Sequence, residues 1–192
     1  VHVYGRPCNV KKLEEIARKH HLKLIYDAAH AFGVLVDGQP IVNFGDISML
    51  SFHATKVFNT IEGGALVYSD DGLTKSLKNL RNFGLEGPES VVQAGLNAKM
   101  NEFAAAMGVC NLKYVDENIR RRKYVAEFYY NRLKNCPGIR MIDFMDDRRV
   151  IWNYSYFPII VNEKAAGCTR DDIFEGLQKE NIFTRKYFFP LV

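Results

Sequence analysis

Short apolar runs alternate with one amphipathic segment at the start of the chain. The run VHVY at residues 1–4 predicts a strand, and KLIYDAAHAFG at residues 23–33 predicts a second strand that ends in a carboxylate. Between them, apolar side chains recur at helical spacing from Val10 to Ala17, with Asn9 in the N-cap position and basic residues in the last turn. This order of strand, helix and strand is typical of a βαβ unit, whose two strands are parallel and joined by a right-handed crossover.

Further apolar runs follow this unit. DISMLSF at residues 46–52 and GGALVYS at residues 63–69 predict buried strands, and DGLTKSLKNLRNFG at residues 71–84 predicts a helix that Gly84 ends. Residues 86–95 lack a clear period, which predicts a surface loop. Strands that alternate with helices in this way indicate an α/β fold.

The chain then becomes strongly helical. Residues 101–134 carry a helical pattern until NCPG at residues 135–138 breaks it. A second unit begins after this break, so we place a domain boundary within the helical region, near residue 112. The expected domains are residues 1–112 and residues 113–192.

The remaining segments predict a smaller α/β unit. NYSYFPIIV at residues 153–161 is rich in residues that favour strands, and so is IFTRKYFF at residues 182–189. Between them, TRDDIFEGLQKEN at residues 169–181 predicts a helix in which Thr169 caps the N-terminus and Asp172 stands at the third helical position.

Composition and charge narrow the class of protein. The chain has 192 residues, of which 47% are hydrophobic, and a formal net charge of +4. No basic and aromatic residues interleave on an evident sheet and no groove-reading motif occurs, so we expect no nucleic acid partner. The four cysteines lack the spacing of a metal site. No apolar run approaches the roughly 20 residues that span a bilayer, and no signal peptide is evident. We therefore expect a cytoplasmic protein that does not bind membranes.

Three side chains at predicted strand ends suggest cofactor chemistry. Asp27 ends one strand, Ser51 ends another, and Lys56 follows in the next loop. In open α/β sheets, ligands bind at the carboxyl ends of parallel strands. An amine for an aldehyde, a carboxylate for a ring nitrogen and a hydroxyl for a phosphate match pyridoxal 5'-phosphate. Alternatively, Asp27 caps the next helix or forms a salt bridge, and Lys56 is a solvated surface residue.

Four ordered motifs carry a family resemblance. DAAHAFG, SFHATK, EGGALV and GLNAKMNEFAAAMG begin at residues 27, 51, 62 and 95. In order and spacing they resemble the pyridoxal-phosphate-dependent nucleotide-sugar aminotransferases of the DegT/DnrJ/StrS family, which have the aspartate aminotransferase fold. The resemblance covers nearly the whole chain. It implies the C-terminal part of the large domain, with a mainly parallel sheet and flanking helices, followed by a smaller α/β domain.

The resemblance implies a role for each of five residues. Lys56 would form the Schiff base with pyridoxal 5'-phosphate, and Asp27 would pair with the protonated pyridine nitrogen. Ser51 would bind the cofactor phosphate, and His30 stands where the family has Gln or His beside the ring and its phenolic oxygen. Asn97 would reach the cofactor phosphate of a neighbouring subunit, which implies a homodimer. No metal is implied.

The resemblance also implies a reaction. An amino acid, usually glutamate in this family, would donate its amino group to a keto group of a nucleotide-linked deoxysugar. The dehydratase branch of the family has histidine in place of the Schiff-base lysine, and this chain keeps Lys56. Lys99 stands where Arg is commoner. Alternatives are another pyridoxal-phosphate activity of the same fold, such as a sugar dehydratase or an amino-acid transaminase, and a non-catalytic regulatory or interaction module.

The two ends of the chain suggest a piece of a longer protein. The chain begins with Val1 rather than Met, and family members carry a substantial N-terminal part of the large domain before the position of VHVYG. They also continue beyond FFPLV. We therefore expect residues upstream and downstream, and 192 residues that are inactive alone.

Overall fold

Helices and short strands alternate in a computed structural model, which describes residues 1–142 and 147–189. In chain order, the helices are α1 (Val10–Lys19), α2 (Thr74–Arg81), α3 (Glu102–Leu112), α4 (Val115–Leu133), α5 (Glu163–Ala166) and α6 (Arg170–Lys179). The strands are β1 (Ile25–Asp27), β2 (Leu35–Val36), β3 (Gln39–Pro40), β4 (Ile47–Ser51), β5 (Gly64–Tyr68), β6 (Ile139–Met141), β7 (Val150–Ile151) and β8 (Ile159–Val161). Short 3-10 helices occupy Val3–Gly5, Ile41–Asn43 and Asp71–Leu73.

The predicted helix caps are confirmed. At the start of α1, the side-chain oxygen of Asn9 accepts a hydrogen bond from the backbone N–H of Lys12 at 3.1 Å. At the start of α6, Thr169 and Asp172 form a reciprocal capping box. In both cases a side chain satisfies backbone N–H groups that have no partner within the helix.

A three-stranded sheet with the order β1-β4-β5 supports the candidate site. Strands β1 and β4 are parallel, and Asp27 pairs in register with Met49. Strands β4 and β5 are antiparallel, with Ser51 opposite Gly64. The expectation of a mainly parallel sheet is therefore wrong for the described strands. The chain returns from β4 to β5 through a single loop, and a crossover helix would be needed to make them parallel.

The core of this part lies beneath β1, β2 and β4. It is formed by side chains that are almost fully buried: Val10, Tyr26, Ala28, Ala31, Val34, Val36, Ile41 and Leu50. Burial of each large apolar side chain contributes roughly 1.5–3 kcal/mol to folding. The core therefore fixes the ends of β1 and β4, from which the candidate site residues project.

The first predicted strand, at residues 1–4, is wrong. This segment forms part of a 3-10 turn in which Tyr4 and Gly5 have φ angles of 59° and 80°. The backbone N–H of His2 still donates to the carbonyl of Asp27 at 2.9 Å, so the segment lies beside the end of β1. A left-handed turn at Tyr4 and Gly5 ends any extended run, so the expected βαβ unit is not formed by these residues.

Two other strand predictions need correction. Only the last residues of the run at 153–161 form a strand, β8, which pairs with β6 in antiparallel register. Residues 182–189 form no strand. Side chains hold that segment instead, since Lys186 forms an ion pair of 3.1 Å with Asp171. The end of the chain from Pro190 lies outside the described residues.

The chain divides into two compact units. One contains Val1–Lys123 and Met145–Tyr156, and the other contains Tyr124–Phe144 and Phe157–Val192. All candidate site residues belong to the first unit. Division into a large and a small domain near residue 112 remains a prediction. None of the helices in residues 1–142 and 147–189 is long and apolar enough to cross a membrane.

Candidate functional site

Lys56 lies in the loop that joins β4 to β5. Two backbone hydrogen bonds close this loop at its base: Phe52 N–H donates to Gly63 O at 2.8 Å, and Thr60 N–H donates to Phe52 O at 2.9 Å. A third, from Lys56 N–H to His53 O at 2.9 Å, forms a turn within it. The side chain of Lys56 is half-buried. The loop therefore presents this lysine from a hydrogen-bonded frame.

A cluster of three phenylalanine rings packs at the base of the loop between β4 and β5. The ring of Phe58 stacks on Phe32 at a centroid distance of 4.7 Å and meets Phe52 edge-on at 4.9 Å. Contacts of this geometry stabilise by about 0.5–1.5 kcal/mol beyond the burial of their area. The base of the loop is thereby fixed to the segment that follows β1.

The two glycines after the loop allow close backbone packing. A Cβ at Gly64 would lie 2.8 Å from the carbonyl oxygen of Leu50, and a Cβ at Gly63 would lie 2.9 Å from the Met100 side chain. Any larger residue would push β5 away from β4. Gly64 is therefore explained by the pairing of β4 with β5, and Gly63 by its close contacts with Thr60 and Met100.

Asp27 stands at the carboxyl end of β1. Its Oδ1 accepts a hydrogen bond from Ala29 N–H at 2.9 Å, which caps the following turn. Within the described part of the chain, no hydrogen bond or ion pair is made by Oδ2. The turn-capping role is thus filled by one oxygen, and the other can accept a hydrogen bond from a ligand.

Ser51 ends the neighbouring parallel strand at the same edge. The carboxyl ends of parallel strands lie side by side, so Ser51 ends β4 at the edge where Asp27 ends β1. Its Oγ accepts a weak hydrogen bond from His53 N–H at 3.4 Å. The hydroxyl proton of Ser51 can then be donated to an anion.

His30 follows Asp27 on the next turn and is neutral. Its Nδ1 accepts a hydrogen bond from Tyr4 N–H at 3.0 Å, which assigns the ring proton to Nε2. Burial lowers the pKa of His30 below its ordinary value, as does the positive charge of Lys56, while Asp27 opposes the shift. His30 therefore lies at the same sheet edge as Asp27, near enough to Lys56 for the lysine charge to act on its ring.

Tyr156 was missed by the sequence analysis. The Lys56 ammonium Nζ donates a hydrogen bond to its hydroxyl oxygen at 3.5 Å. The Tyr156 ring also packs against His30 at 4.6 Å and against Tyr4 at 5.5 Å. No sequence signal separates it from the other aromatic residues of its run, because a contact across 100 positions of the chain depends on the tertiary fold.

Asn153 holds the segment that carries Tyr156. Its amide Nδ2 donates to the carbonyl oxygens of His30 at 2.8 Å and Phe32 at 2.9 Å, and its Oδ1 accepts from Ser155 N–H at 3.1 Å. The side chain is 1% exposed. The signal available in the sequence was an asparagine at the start of a run otherwise rich in strand-forming residues.

Asn97 makes its hydrogen bonds away from the candidate site residues at the sheet edge. It is exposed, and its Oδ1 accepts a hydrogen bond from Lys99 Nζ at 3.0 Å. Lys99 also donates to Asn82 and lies 4.2 Å above the ring of Phe83. In the described ranges, no hydrogen bond joins Asn97 to the residues at the sheet edge. Its role toward a neighbouring subunit stays a prediction.

The donor set fits pyridoxal 5'-phosphate. The sheet edge offers an amine on Lys56, a carboxylate oxygen on Asp27, an N–H donor on His30 and a hydroxyl on Ser51. An aldehyde, a pyridine nitrogen, a phenolic oxygen and a phosphate need these groups respectively. No cluster of potential metal ligands occurs in residues 1–142 and 147–189.

Known proteins resemble the chain over its whole length. It is 43% identical over 192 residues to dTDP-4-amino-4,6-dideoxy-D-glucose transaminase of Shigella dysenteriae, which covers 100% of this chain and 52% of the relative. It is 38% identical over 193 residues to the transaminase of the same name from Escherichia coli, covering 100% and 51%. The chain thus spans about half the length of the curated relatives it matches.

A solved structure has the same fold. The crystal structure of DesI in the presence of its TDP-sugar product matches with a TM-score of 0.89 and 41% identity, over 98% of this chain and 48% of that one. The profile of the DegT/DnrJ/EryC1/StrS aminotransferase family matches residues 1–192. This match, together with the ordered site at the edge of the sheet, means that the chain belongs to the DegT/DnrJ/EryC1/StrS aminotransferase family.

Proposed function

We propose that the full-length protein transfers an amino group from an amino acid, glutamate, to a keto group of a nucleotide-linked deoxysugar. Aminotransferases of this family depend on pyridoxal 5'-phosphate. The observation that carries the proposal is that Lys56 and His30 both contact Tyr156, beside the end of β1 where Asp27 stands. Two relatives are named for dTDP-4-amino-4,6-dideoxy-D-glucose, so we propose that C4 of a dTDP-linked 6-deoxysugar receives the amine.

Each residue has a proposed task toward the cofactor. Lys56 holds it covalently through Nζ, Asp27 Oδ2 keeps the pyridine nitrogen protonated, and His30 Nε2–H donates to the phenolic oxygen. Ser51 donates its hydroxyl proton to the phosphate, and Asn97 contacts the phosphate bound in the other subunit of a homodimer. These tasks rest on the donor set and on the family resemblance.

The bound cofactor supplies an electron sink for charge that develops at the substrate carbon. The proton transfers fall to the protein. Lys56 Nζ would act as a general base and then as a general acid toward the substrate. Asp27 stabilises positive charge on the ring nitrogen throughout, because its carboxylate is fixed at the end of β1 by Ala29 N–H.

Covalent trapping tests this proposal. The full-length protein is incubated with pyridoxal 5'-phosphate, reduced with borohydride and digested, and the modified peptide is identified by mass spectrometry. We expect the adduct on Lys56 and its complete loss in Lys56→Ala, with an unchanged unfolding temperature. Lys113→Ala, at an exposed position after α3, is the matched control and should retain the adduct. An adduct on another lysine would contradict the assignment.

Turnover separates this activity from the alternatives. Wild-type protein with glutamate and a dTDP-linked 4-keto-6-deoxysugar should release 2-oxoglutarate and an aminosugar in equal amounts. Loss of water from the sugar without amine transfer would indicate a dehydratase. A trapped adduct on Lys56 with no turnover of any amino donor would favour the non-catalytic module.

A further inference from the structure

The side chain of Lys56 is held by a neutral partner. In the part of the chain that the structure describes, no carboxylate lies within salt-bridge distance of its Nζ, and the Tyr156 hydroxyl is its hydrogen-bond acceptor. A half-buried lysine without a counter-ion loses solvation, which an oriented hydroxyl dipole partly replaces. The hydrogen bond with Tyr156 therefore involves Nζ, the atom of Lys56 that would react with the cofactor.

Asn153 joins the segment that carries Tyr156 to the residues that follow β1. This buried asparagine bonds to the backbone carbonyls of His30 and Phe32, and it also accepts from Ser155 N–H. On the solvent-exposed side of this segment, the Arg122 guanidinium donates to the carbonyl of Ser155 at 3.2 Å. The segment that precedes Tyr156 therefore cannot shift without breaking several hydrogen bonds.

The ring of Tyr156 is also held beside Lys56 by aromatic contacts. The Tyr156 ring contacts His30, whose Nδ1 is fixed by Tyr4 N–H, and Tyr4 contacts Tyr156 in turn. Three aromatic rings thus form one wall next to the amine. A change in the Tyr156 hydroxyl alone leaves this wall intact, because the ring contacts do not involve the oxygen.

We propose that Tyr156 is a positioning residue for Lys56, whose hydroxyl accepts a hydrogen bond from Nζ and keeps the amine beside Asp27 and His30 until the cofactor arrives. The role of Lys56 toward the cofactor rests on the proposed function. The contact between Lys56 and Tyr156 does not, and it can be tested on the protein without cofactor. Tyr156→Phe removes only the acceptor oxygen.

Acetylation of Lys56 measures the contact directly. The cofactor-free full-length protein is treated with limiting acetic anhydride, and the rate at Lys56 is measured by mass spectrometry relative to exposed Lys113. The Tyr156 hydroxyl accepts a hydrogen bond from the ammonium, and only the free amine attacks the anhydride, with loss of a proton and release of acetate. Without the acceptor the ammonium is less stabilised, so we expect Tyr156→Phe to raise this relative rate about threefold to tenfold. Tyr154→Phe, in the same segment, is the control and should leave it unchanged. An unchanged rate in Tyr156→Phe, or an equal rise in Tyr154→Phe, overturns the proposal.

Cofactor capture measures the positioning role. At a pyridoxal 5'-phosphate concentration that half-saturates the wild type, we expect Tyr156→Phe to carry severalfold less borohydride-trapped adduct on Lys56, with the unfolding temperature unchanged. Equal capture by the two proteins overturns the positioning role. If the wild type forms no adduct on Lys56 at any concentration, the proposed function fails, whereas the acetylation result still decides the contact between Lys56 and Tyr156.

Discussion

His30 can offer a ligand only one ring nitrogen. Its Nδ1 is taken by Tyr4 N–H, so Nε2 carries the proton and acts as a donor. Burial and the nearby Lys56 lower the pKa of His30, and the imidazole therefore stays neutral at neutral pH. A fixed neutral donor suits an oxygen that bears partial negative charge.

Substitution of His30 tests this donor. His30→Gln keeps an N–H donor on a side chain of similar reach, so we expect the dissociation constant for pyridoxal 5'-phosphate to stay within about threefold of the wild type. His30→Leu removes the donor, and we expect about tenfold weaker binding or more. Titration followed by the visible absorption of the bound cofactor measures both. Exposed His20→Gln is the control, and equal binding by His30→Leu and the wild type would exclude a donor role.

His2 makes the stability of the fold depend on pH. It is 1% exposed and stacks on Tyr26 at 4.7 Å, and burial lowers its pKa to about 4 from the ordinary 6.5. Above pH 6.5 it is neutral in both the folded and the unfolded chain. As the pH falls toward 4, only the unfolded chain takes up the proton, so the free energy of unfolding decreases.

We expect His2 to cost up to about 3 kcal/mol of stability between pH 6.5 and 4. His2→Phe keeps the stacking on Tyr26 and cannot be protonated, so its free energy of unfolding should fall less steeply over this range. Urea denaturation at several pH values measures the slope. His20→Gln should retain the wild-type slope, and a His2→Phe slope equal to that of the wild type would mean that another group titrates.

Helix α3 packs closely against the loop that carries Lys56. A Cβ at Gly108 would lie 2.8 Å from Cγ2 of Thr60, and the backbone of Asn59 accepts a hydrogen bond from the Asn111 amide at 2.9 Å. Thr60 is one of the residues that close the loop. The helix and the loop therefore stabilise one another through residues that lie outside the candidate site.

A pair of glycine substitutions tests this packing. Gly108→Ala should destabilise the protein by about 1–3 kcal/mol, because the added methyl group overpacks the contact with Thr60. Gly176→Ala in α6 meets open space, so it should stabilise by roughly 0.5–1 kcal/mol through helix propensity. Chemical denaturation of both variants gives the two differences. A stabilising Gly108→Ala would show that α3 and the loop do not pack as closely as described.

Elements with a local signal were predictable from the sequence. Asn9 and Thr169 begin their helices as expected, because capping depends on a few neighbouring residues. The strand predicted at residues 1–4 and the direction of β5 were not predictable, because a turn at Tyr4 and the choice of sheet neighbour are set by tertiary contacts. Apolar runs indicate burial but not the direction in which a strand pairs.

The candidate site was predictable to a similar extent. Asp27, His30 and Lys56 stand in recognisable motifs and lie together. The contribution of Tyr156 and Asn153 was not foreseen, because they approach from a segment far along the chain that was predicted as an ordinary strand. Sequence motifs identify side chains that would act on a ligand. They identify less readily the side chains that hold those residues in place.

At the scale of the whole molecule, the length of the relatives bears on how much apolar surface this chain exposes. They are about twice as long as this chain. Large apolar side chains on α3 are exposed, with Phe103 88% and Val109 63% accessible. Strand β1 is at the edge of its sheet within the described residues. Exposed apolar surface and open strand edges promote association.

The 192-residue chain alone should therefore associate and bind pyridoxal 5'-phosphate more weakly than the full-length protein. Light scattering after size exclusion, combined with cofactor titration, compares the two. We expect a dimer for the full-length protein and heterogeneous oligomers for the chain alone. A monomeric chain that binds the cofactor as tightly as the full-length dimer would contradict this expectation.

Asn97 tests the proposed contact between subunits. If Asn97 donates to the phosphate bound by the neighbouring subunit of the proposed dimer, Asn97→Ala should lower cofactor affinity about tenfold while the dimer persists. Asn82→Ala removes the other hydrogen bond made by Lys99 and serves as the control. Equal affinities of Asn97→Ala and the wild type would place Asn97 outside the site.

The closed loop around Lys56 has a consequence for the thermodynamics of binding. Its base is tied by Phe52 to both Gly63 and Thr60, and Thr60 Oγ1 donates to Glu62 O at 2.7 Å. These bonds involve no ligand, so the conformational entropy of the loop is lost during folding rather than during binding. The amide protons of Phe52 and Thr60 should exchange slowly with solvent even without cofactor, and cofactor capture should require little further ordering of the backbone.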